Sequence, residues 1–321
     1  MNFFSSIDTI PPLAIVAPSG KQYSDAAPVF GQSTALVPPL LPHYIGRTTT
    51  YFNDRTEKQL IIRDPDSQES KILYPTGEVL QGTLNYIFLF IDRSNNLYTW
   101  RTPKEHPAIL PQIHKDLLGT GFLTNGGRYK FRSLEEQVNF MEKARQANLQ
   151  SLVPVYADKL GILSPFIQGM PYDQYLRSGG IQATANVLDN IITAHRHNIV
   201  YGDRWTKNTI VKPDESIVEI DFDIELMSDN AQEFELAQLL YHILFFSNRR
   251  EQMLKFLKGY FQTHESVLVE HDLSVVKKFL YNYIDYFQDK PVEGISGGIK
   301  QEIAELIKIL SFKDYIAYAS D

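Results

Sequence analysis

The sequence contains no cysteine among its 321 residues. This absence excludes disulfide bonds, metal sites built on thiolates, and enzymes that use a cysteine nucleophile. A chain without cysteine fits a reducing compartment, and its N-terminal segment lacks the basic flank and long apolar run of a signal peptide. We therefore expect a protein that acts in the cytoplasm, either of its own cell or of another cell into which it is delivered.

An excess of positive charge and long apolar runs are also missing. Lys and Arg total 31 against 38 Asp and Glu, which gives a net charge of -7. Proteins that bind nucleic acid normally carry a basic excess or a concentrated basic face, so no nucleic-acid partner is expected. The apolar stretch at residues 239–246 is too short to cross a bilayer, and no membrane span is expected.

What the chain does contain predicts an α+β fold, and 43% hydrophobic residues suffice for a substantial core. Residues 1–42 are rich in proline and predict an extended arm. Residues 43–168 predict a β-rich part, and residues 169–321 a mostly helical one. The strands predicted first in the β-rich part are 48–52, 59–63, 70–74, 85–91 and 97–101.

Three polar residues in the helical part have a spacing that suits phosphoryl transfer. Asp203 lies five positions before Asn208, and Asp221 lies thirteen positions after it. Residues 209–220 predict a β-hairpin, which would return the chain so that Asp221 lies beside Asn208. Grouped oxygen ligands suit Mg²⁺, and Asp203 would be near enough to orient or deprotonate a hydroxyl. Taken singly, each residue is equally typical of an ordinary turn.

The pattern Tyr-Gly-Asp203-x-x-x-x-Asn208, followed by Ile-Asp221-Phe-Asp, resembles the catalytic loop and metal-binding motif of the protein-kinase-like superfamily. The similarity is greatest to its small-molecule and atypical kinases. It implies a bilobal protein-kinase-like fold with a β-rich N-lobe and a mostly helical C-lobe. It also implies transfer of the γ-phosphate of ATP to a hydroxyl of a protein or small molecule. In that chemistry Asp203 is the base or orienting group, and Asn208 and Asp221 hold Mg²⁺ or Mn²⁺.

The same resemblance implies a lysine that contacts the phosphates and a glutamate that positions this lysine. Lys130, in Tyr-Lys-Phe-Arg, and Glu142, in Phe-Met-Glu-Lys-Ala, occupy the matching places. Glu135, Glu136 and Arg132 are close alternatives.

These residues belong to a predicted run of two strands and a helix. Residues 114–122 and 128–132 predict the strands. Ser133 and Glu136 form the sequence signature of a capping box that opens the following helix.

Further positions follow from the order of the motifs. Residues 165–169 resemble the hinge of the superfamily, where the backbone at Phe166 and Ile167 would bind the adenine edge. Glu235, near the start of a later helix, is expected to support the catalytic loop. His195 and His197 have a spacing that suits a metal, although a pair at a helix C-terminus is the favoured interpretation.

Several departures from the superfamily pattern argue against an ordinary regulated protein kinase. The chain has no GxGxxG and no Ala-Pro-Glu, and Tyr201 and Gly202 replace the usual His and the Arg of regulated protein kinases. Arg204 and Trp205 either hold an acceptor at the cleft edge or are a solvated arginine and a packed tryptophan. Two alternatives to an active kinase stay open: a nucleotide-sensing or scaffolding pseudokinase, and a β-rich binding module fused to an unrelated helical domain.

Overall fold

The structure is a computed structural model that describes residues 60–63, 70–82, 84–105, 107–202, 204–264, 269–287 and 299–311. Residues 41–321 form one compact unit. The fold is α+β, with most of the strands before residue 166 and most of the helices after it. The predicted arm at 1–42, the predicted strand at 48–52 and Asp203 lie outside the described residues.

Eleven strands occur in the described ranges. In chain order they are β1 (Leu60–Arg63), β2 (Ser70–Gln81), β3 (Asn85–Asp92), β4 (Leu97–Pro103), β5 (Arg128–Phe131), β6 (Tyr156–Ala157), β7 (Ile162–Pro165), β8 (Met170–Pro171), β9 (Thr209–Val211), β10 (Ile217–Glu219) and β11 (Ile224–Met227). The first four of them fall where alternating hydrophobicity predicts strands.

The largest sheet has six antiparallel strands in the order β1-β2-β3-β4-β7-β6. Its β3–β4 turn is tight because the Asp92 carboxylate accepts the backbone N–H groups of Ser94 and Asn96, both at 2.9 Å. β4 lies inside the sheet, where Arg101 is opposite Ile162 of β7. Arg101 therefore lies on an inner strand of the sheet, and its side chain is buried.

Two smaller sheets complete the strand pairing of the described residues. β8, β9 and β10 form one, and β5 pairs with β11 in the other. In the second sheet Lys130 lies opposite Glu225. β5 is thus joined to the segment just after Asp221, and it is not part of the six-stranded sheet.

The helices within the described residues are α1 (Leu110–Gly119), α2 (Leu134–Gln146), α3 (Tyr172–Arg177), α4 (Ala183–Arg196), α5 (Ala231–Phe246), α6 (Arg250–Thr263), α7 (Leu273–Phe287) and α8 (Ile299–Leu310). The described residues contain no helix that is long and apolar enough to cross a membrane.

The predicted strand at 114–122 is wrong, because most of that stretch belongs to α1. A proline in the first turn favours a helix start, and Ile113 and Leu117 are spaced four apart, so both face the core. The capping box at the start of α2 is confirmed: Ser133 Oγ accepts the N–H of Glu136, and the Glu136 carboxylate accepts the N–H of Ser133.

α5 is the centre of the helical part, and it is buried on nearly all sides. Phe234 packs against Phe279 and Tyr283 of α7. A second apolar cluster joins α2 to the two loops on either side of the β9–β10 hairpin and includes Met141, Tyr201 and Phe222. Burial of this cluster fixes both loops against α2, which is how the fold positions the candidate site.

Candidate active site

The hairpin predicted between Asn208 and Asp221 is present. β9 and β10 pair with Thr209 opposite Glu219. One residue further on, the N–H of Ile220 donates to the carbonyl oxygen of Asn208 at 2.9 Å. The returning chain therefore delivers Asp221 beside Asn208, as the spacing predicts. Asn208 is buried, whereas the Asp221 side chain is 31% exposed.

The residues on either side of Asp203 are held by α5. The Glu235 carboxylate accepts the N–H of Gly202 at 2.8 Å, which confirms that Glu235 supports this loop. The Gln238 side chain accepts the N–H of Arg204 at 3.0 Å. Two side chains from one buried helix thus fix the backbone immediately before and after Asp203.

The two departures from the superfamily pattern at this loop have structural roles. Gly202 has φ +102°, and a Cβ there would lie 2.0 Å from the carbonyl oxygen of Ile224, so only glycine fits. Tyr201 is buried and stacks on Phe222, and its hydroxyl accepts a hydrogen bond from Asn190 at 2.9 Å. The loop therefore approaches the segment after Asp221 closely.

His195 and His197 do not form a site together. His195 is buried, with Nε2 2.9 Å from the Glu235 carboxylate and Nδ1 2.8 Å from Nε2 of His271. His197 is exposed at the end of α4. The described residues contain no group of three or more His, Asp or Glu side chains arranged to hold a metal ion. His195 instead supports Glu235 beneath the loop.

Arg204 is neither solvated nor at a cleft edge, which corrects both sequence interpretations of this residue. Its guanidinium is buried, and Nη1 lies 2.6 Å from a Glu219 carboxylate oxygen that also accepts the Thr209 hydroxyl. Burial opposes the charged form of Arg204, but the charge and hydrogen bond of Glu219, together with the Glu235 carboxylate and Tyr201, raise its pKa. Trp205 is packed, with its ring stacked on His242 at 4.6 Å between centroids.

The structure does not bring Lys130 and Glu142 together. Lys130 Nζ lies 2.7 Å from a Glu136 carboxylate oxygen and 3.4 Å from Glu225, and its side chain is 43% exposed. The hydrogen bond from Lys130 lowers the pKa of Glu136 to about 2. Glu142 accepts two hydrogen bonds from Arg145 on its own helix, both at 2.7 Å. The predicted lysine–glutamate pair is therefore wrong.

The residues expected at the hinge lie just after β7. The N–H of Phe166 donates to the carbonyl oxygen of Leu97 at 2.9 Å, which extends the pairing of β7 with β4. Ile167 is half-buried and packs against the apolar cluster that contains Phe222. The two residues thus follow the strand next to β4, and their backbone runs on into β8.

Arg101, on β4, is the cation that reaches the candidate site, and no sequence motif pointed to it. Its Nη1 lies 3.4 Å from an Asp221 carboxylate oxygen and 3.9 Å from Asp223. Its Nη2 donates to the side-chain oxygen of Gln137 on α2 at 2.5 Å. The Gln137 amide in turn donates to the backbone carbonyl of Arg132 at 3.0 Å. A strand cation thus contacts Asp221 and is held by a helix side chain, but neither residue is the predicted one.

Sequence periodicity marks only one member of this pair. In β4, Tyr98 and Arg101 are both buried, but they lie three residues apart and point to opposite faces of the strand, so an alternating pattern does not mark Arg101. In α2, Gln137, Met141 and Ala144 share the buried face at helical spacing. A buried polar side chain needs a hydrogen-bond partner, and Arg101 and Gln137 are partners of each other.

Asp223 forms the inner end of the same cluster. It is buried, and its carboxylate accepts a hydrogen bond from Asn85 Nδ2 at 2.6 Å. Burial, followed by the adjacent Asp221 carboxylate, raises the pKa of Asp223 to about 8, against the opposing effect of Arg101. The Asp221 and Asp223 carboxylates therefore lie close together, with the Arg101 guanidinium against both.

The raised pKa of Asp223 predicts a pH-dependent stability. A carboxyl group whose pKa is higher in the folded state stabilises the fold fully below its unfolded pKa, and this contribution is lost as the pH rises through about 8. In metal-free buffer we expect the Asp223→Asn variant to gain melting temperature over wild type as the pH rises from 5 to 9. The gap should reach several degrees, since ~1 kcal/mol corresponds to about 2–4 °C in a chain of this size.

Thermal unfolding at closely spaced pH values measures this gap. Asp214→Asn is the matched control, because Asp214 is exposed in the hairpin turn and its pKa is lowered by hydrogen bonds from Ser216. A constant difference between Asp223→Asn and wild type across the range would show that Asp223 does not retain its proton in the folded protein.

No known protein family matches this chain, and no curated protein is significantly similar to it.

Proposed function

We propose that the protein is an ATP- and divalent-metal-dependent phosphotransferase of the protein-kinase-like type, which moves the γ-phosphate to a hydroxyl of a protein or small molecule. The observation that carries this proposal is the meeting of Arg101, Asp221 and the Asn208 end of the hairpin. It joins the predicted metal ligands to a strand cation, and phosphoryl transfer depends on such positioned charges.

The arrangement of elements supports a bilobal kinase-like fold. The six-stranded sheet with α2 would be the N-lobe, and the helices from α3 onward would be the C-lobe. In this assignment β4 and α2 supply the phosphate-contacting cation and its positioning partner, so Arg101 and Gln137 take the roles first expected of Lys130 and Glu142. The carbonyl oxygen of Phe166 and the backbone of Ile167 would keep the expected role at the adenine edge, since the Phe166 N–H is bound to Leu97.

Each polar residue then has a defined task. Asp203 orients or deprotonates the acceptor hydroxyl. Asn208 and Asp221 would hold Mg²⁺ or Mn²⁺, which would supply neutralising charge for the phosphates. The donor set fits this role because the Asp221 and Asp223 carboxylates both contact Arg101 and lie close together, and a bound cation would relieve their repulsion.

Arg101 is suited to phosphate because a guanidinium group donates two parallel hydrogen bonds to an anion. Its Nη1 contacts Asp221 and Asp223, and its Nη2 is held by the neutral amide of Gln137. A neutral partner leaves the full positive charge of Arg101 to act on the carboxylates or on a phosphate. We infer that nucleotide competes with the carboxylates for this guanidinium.

One observation favours the alternative of a pseudokinase. Arg101 contacts both aspartates, at 3.4 Å from Asp221 and 3.9 Å from Asp223. A nucleotide-sensing protein that never transfers phosphate could use the same contacts as a permanent ion pair. The candidates differ in one step only, which is the transfer of phosphate to an acceptor.

Thermal unfolding with ATP and Mg²⁺, run beside a γ-phosphate transfer assay, separates these functions. The proposed enzyme is stabilised by ATP with Mg²⁺ and transfers phosphate. A pseudokinase is stabilised or unaffected and transfers none. A β-rich binding module fused to an unrelated helical domain shows no nucleotide effect in either assay.

Arg101 and Lys130 form a matched pair for testing which cation contacts the nucleotide. We expect Arg101→Met to weaken ATP binding by about tenfold or more, since a charge-assisted hydrogen bond contributes roughly 1.5–3 kcal/mol. Lys130→Met should leave ATP affinity unchanged, because Lys130 is exposed and paired with Glu136. Titration calorimetry with ATP and Mg²⁺ measures both. Weaker ATP binding by Lys130→Met, with unchanged binding by Arg101→Met, would assign the phosphate contact to Lys130.

A further inference from the structure

Arg132 lies between the two loops that carry the candidate catalytic residues. It follows β5 directly, its side chain is 5% exposed, and its guanidinium packs 4.2 Å from the centre of the Phe140 ring. Nη1 and Nη2 donate to backbone carbonyl oxygens of both loops. These are Val200 at 3.2 Å, Tyr201 at 3.0 Å, Phe222 at 3.1 Å and Ile224 at 2.6 Å.

These four acceptors flank the residues that matter for transfer. Val200 and Tyr201 lie just before Asp203, and Phe222 directly follows Asp221. The backbone N–H of Arg132 also donates to the carbonyl oxygen of Asp223, at 2.8 Å. One residue therefore fixes the backbone on both sides of the site at once.

The contacts of Arg132 extend to the phosphate-contacting cation. Its own carbonyl oxygen accepts the Gln137 amide, and the other end of that amide binds Arg101. A guanidinium group suits such a junction because its planar fork keeps fixed angles between its donors, whereas an ammonium group is a point charge with rotatable donors.

We propose that Arg132 is a positioning residue that sets the separation of residues 200–202 from residues 222–224 and links both segments to Arg101 through Gln137. This inference rests on the proposed function for its kinetic consequences. Its structural part, that Arg132 keeps the two loops ordered, does not depend on that function. Arg132 reaches no reacting group itself and acts through the loop backbones and Gln137.

The test compares Arg132→Met and Arg132→Lys with Arg145→Met, an exposed arginine at the end of α2. A displacement of about 1 Å at a reacting centre costs on the order of 10²-fold in rate, so we expect kcat of both Arg132 variants to fall by about that factor. KM for ATP should change much less, because Arg101 remains. Arg145→Met should match wild type.

Hydrogen–deuterium exchange provides a measurement that does not need activity. In the Arg132 variants, exchange should rise together in residues 199–202 and 220–224, while α5 and the six-stranded sheet keep wild-type protection. Millimolar methylguanidinium should restore part of the kcat of an Arg132→Ala variant, whereas methylammonium should not. Rescue specific to a guanidinium group indicates geometry rather than general stability.

Exchange that rises equally throughout the chain, or wild-type kcat in both Arg132 variants of an active enzyme, would overturn the inference. If the wild-type protein transfers no phosphate, the proposed function fails. The exchange pattern then still decides whether Arg132 orders the two loops.

Discussion

Replacing Asp221 by alanine is expected to reduce phosphoryl transfer by about 10²–10³-fold or more, because catalysis of this kind depends almost wholly on positioning and charge. Asp221 provides the carboxylate that meets both the proposed cation and Arg101. The protein should remain folded, because Asp221 is part-exposed and Arg101 keeps its contacts with Gln137 and Asp223. Initial rates with γ-labelled ATP, together with melting temperatures, measure both effects.

Asp214→Ala is the control for this variant. Asp214 lies in the turn of the same hairpin, where its carboxylate caps Ser216 in solvent, and its loss should leave the rate unchanged. An Asp221→Ala protein that transfers phosphate as fast as wild type would defeat the assignment of Asp221.

The largest expected effect on stability comes from the buried pair beneath the catalytic loop. Glu219→Ala should destabilise the protein by about 3–5 kcal/mol, because it leaves the Arg204 charge buried without its counter-ion. Both side chains are 2% exposed. Among the described residues, Arg204 Nε and Nη2 have no hydrogen-bond acceptor, and the ion pair seen there is the contact of Nη1 with Glu219. Denaturant unfolding gives the free energy.

Two further variants define the origin of this loss. Glu251→Ala removes an exposed helix ion pair with Lys255 and should leave the free energy of unfolding nearly unchanged. The double variant Arg204→Met/Glu219→Leu replaces both charges by apolar groups and should recover most of the stability lost in Glu219→Ala. A Glu219→Ala cost no larger than that of Glu251→Ala would show that the Arg204 charge is compensated by other means.

The local elements of the site were predictable because their causes are local. The turn residues between Val211 and Ile217 and the β-branched runs around them define the hairpin, and its register then follows. The capping box at Ser133 likewise fixes where α2 begins. The contact of Glu235 with the loop has no local cause and was expected only from the resemblance, which places an acidic residue at the start of this helix.

The partner of each charged residue was not predictable in the same way. Lys130 lies on a strand that precedes a helix, as expected, but nothing in its neighbours indicates that β5 pairs with β11 rather than with the main sheet. Strand pairing depends on the whole topology, and a helix inserted between β4 and β5 moves the second strand away from the first sheet.

Arg101 was missed for a related reason. It lies 36 residues before Gln137, and α1 was mistaken for a strand in the interval between them. The strand and helix whose side chains meet at the cation beside Asp221 are therefore β4 and α2, whereas the sequence placed β5 with α2. A search for polar residues on the core-facing stripe of α2 would have identified Gln137, but Arg101 lies on the face of β4 opposite Tyr98 and carries no such mark.

Transfer of the γ-phosphate itself tests the central claim most directly. Purified wild-type protein and the Asp221→Ala variant should be incubated with γ-labelled ATP and Mg²⁺ or Mn²⁺, then assayed by mass spectrometry for ATP turnover and for phosphate on the protein or on added hydroxyl acceptors. We predict metal-dependent transfer by wild type and almost none by the variant. Nucleotide binding without turnover, or turnover that is equal in both proteins, would contradict the assignment of a phosphotransferase centred on Asp203, Asn208 and Asp221.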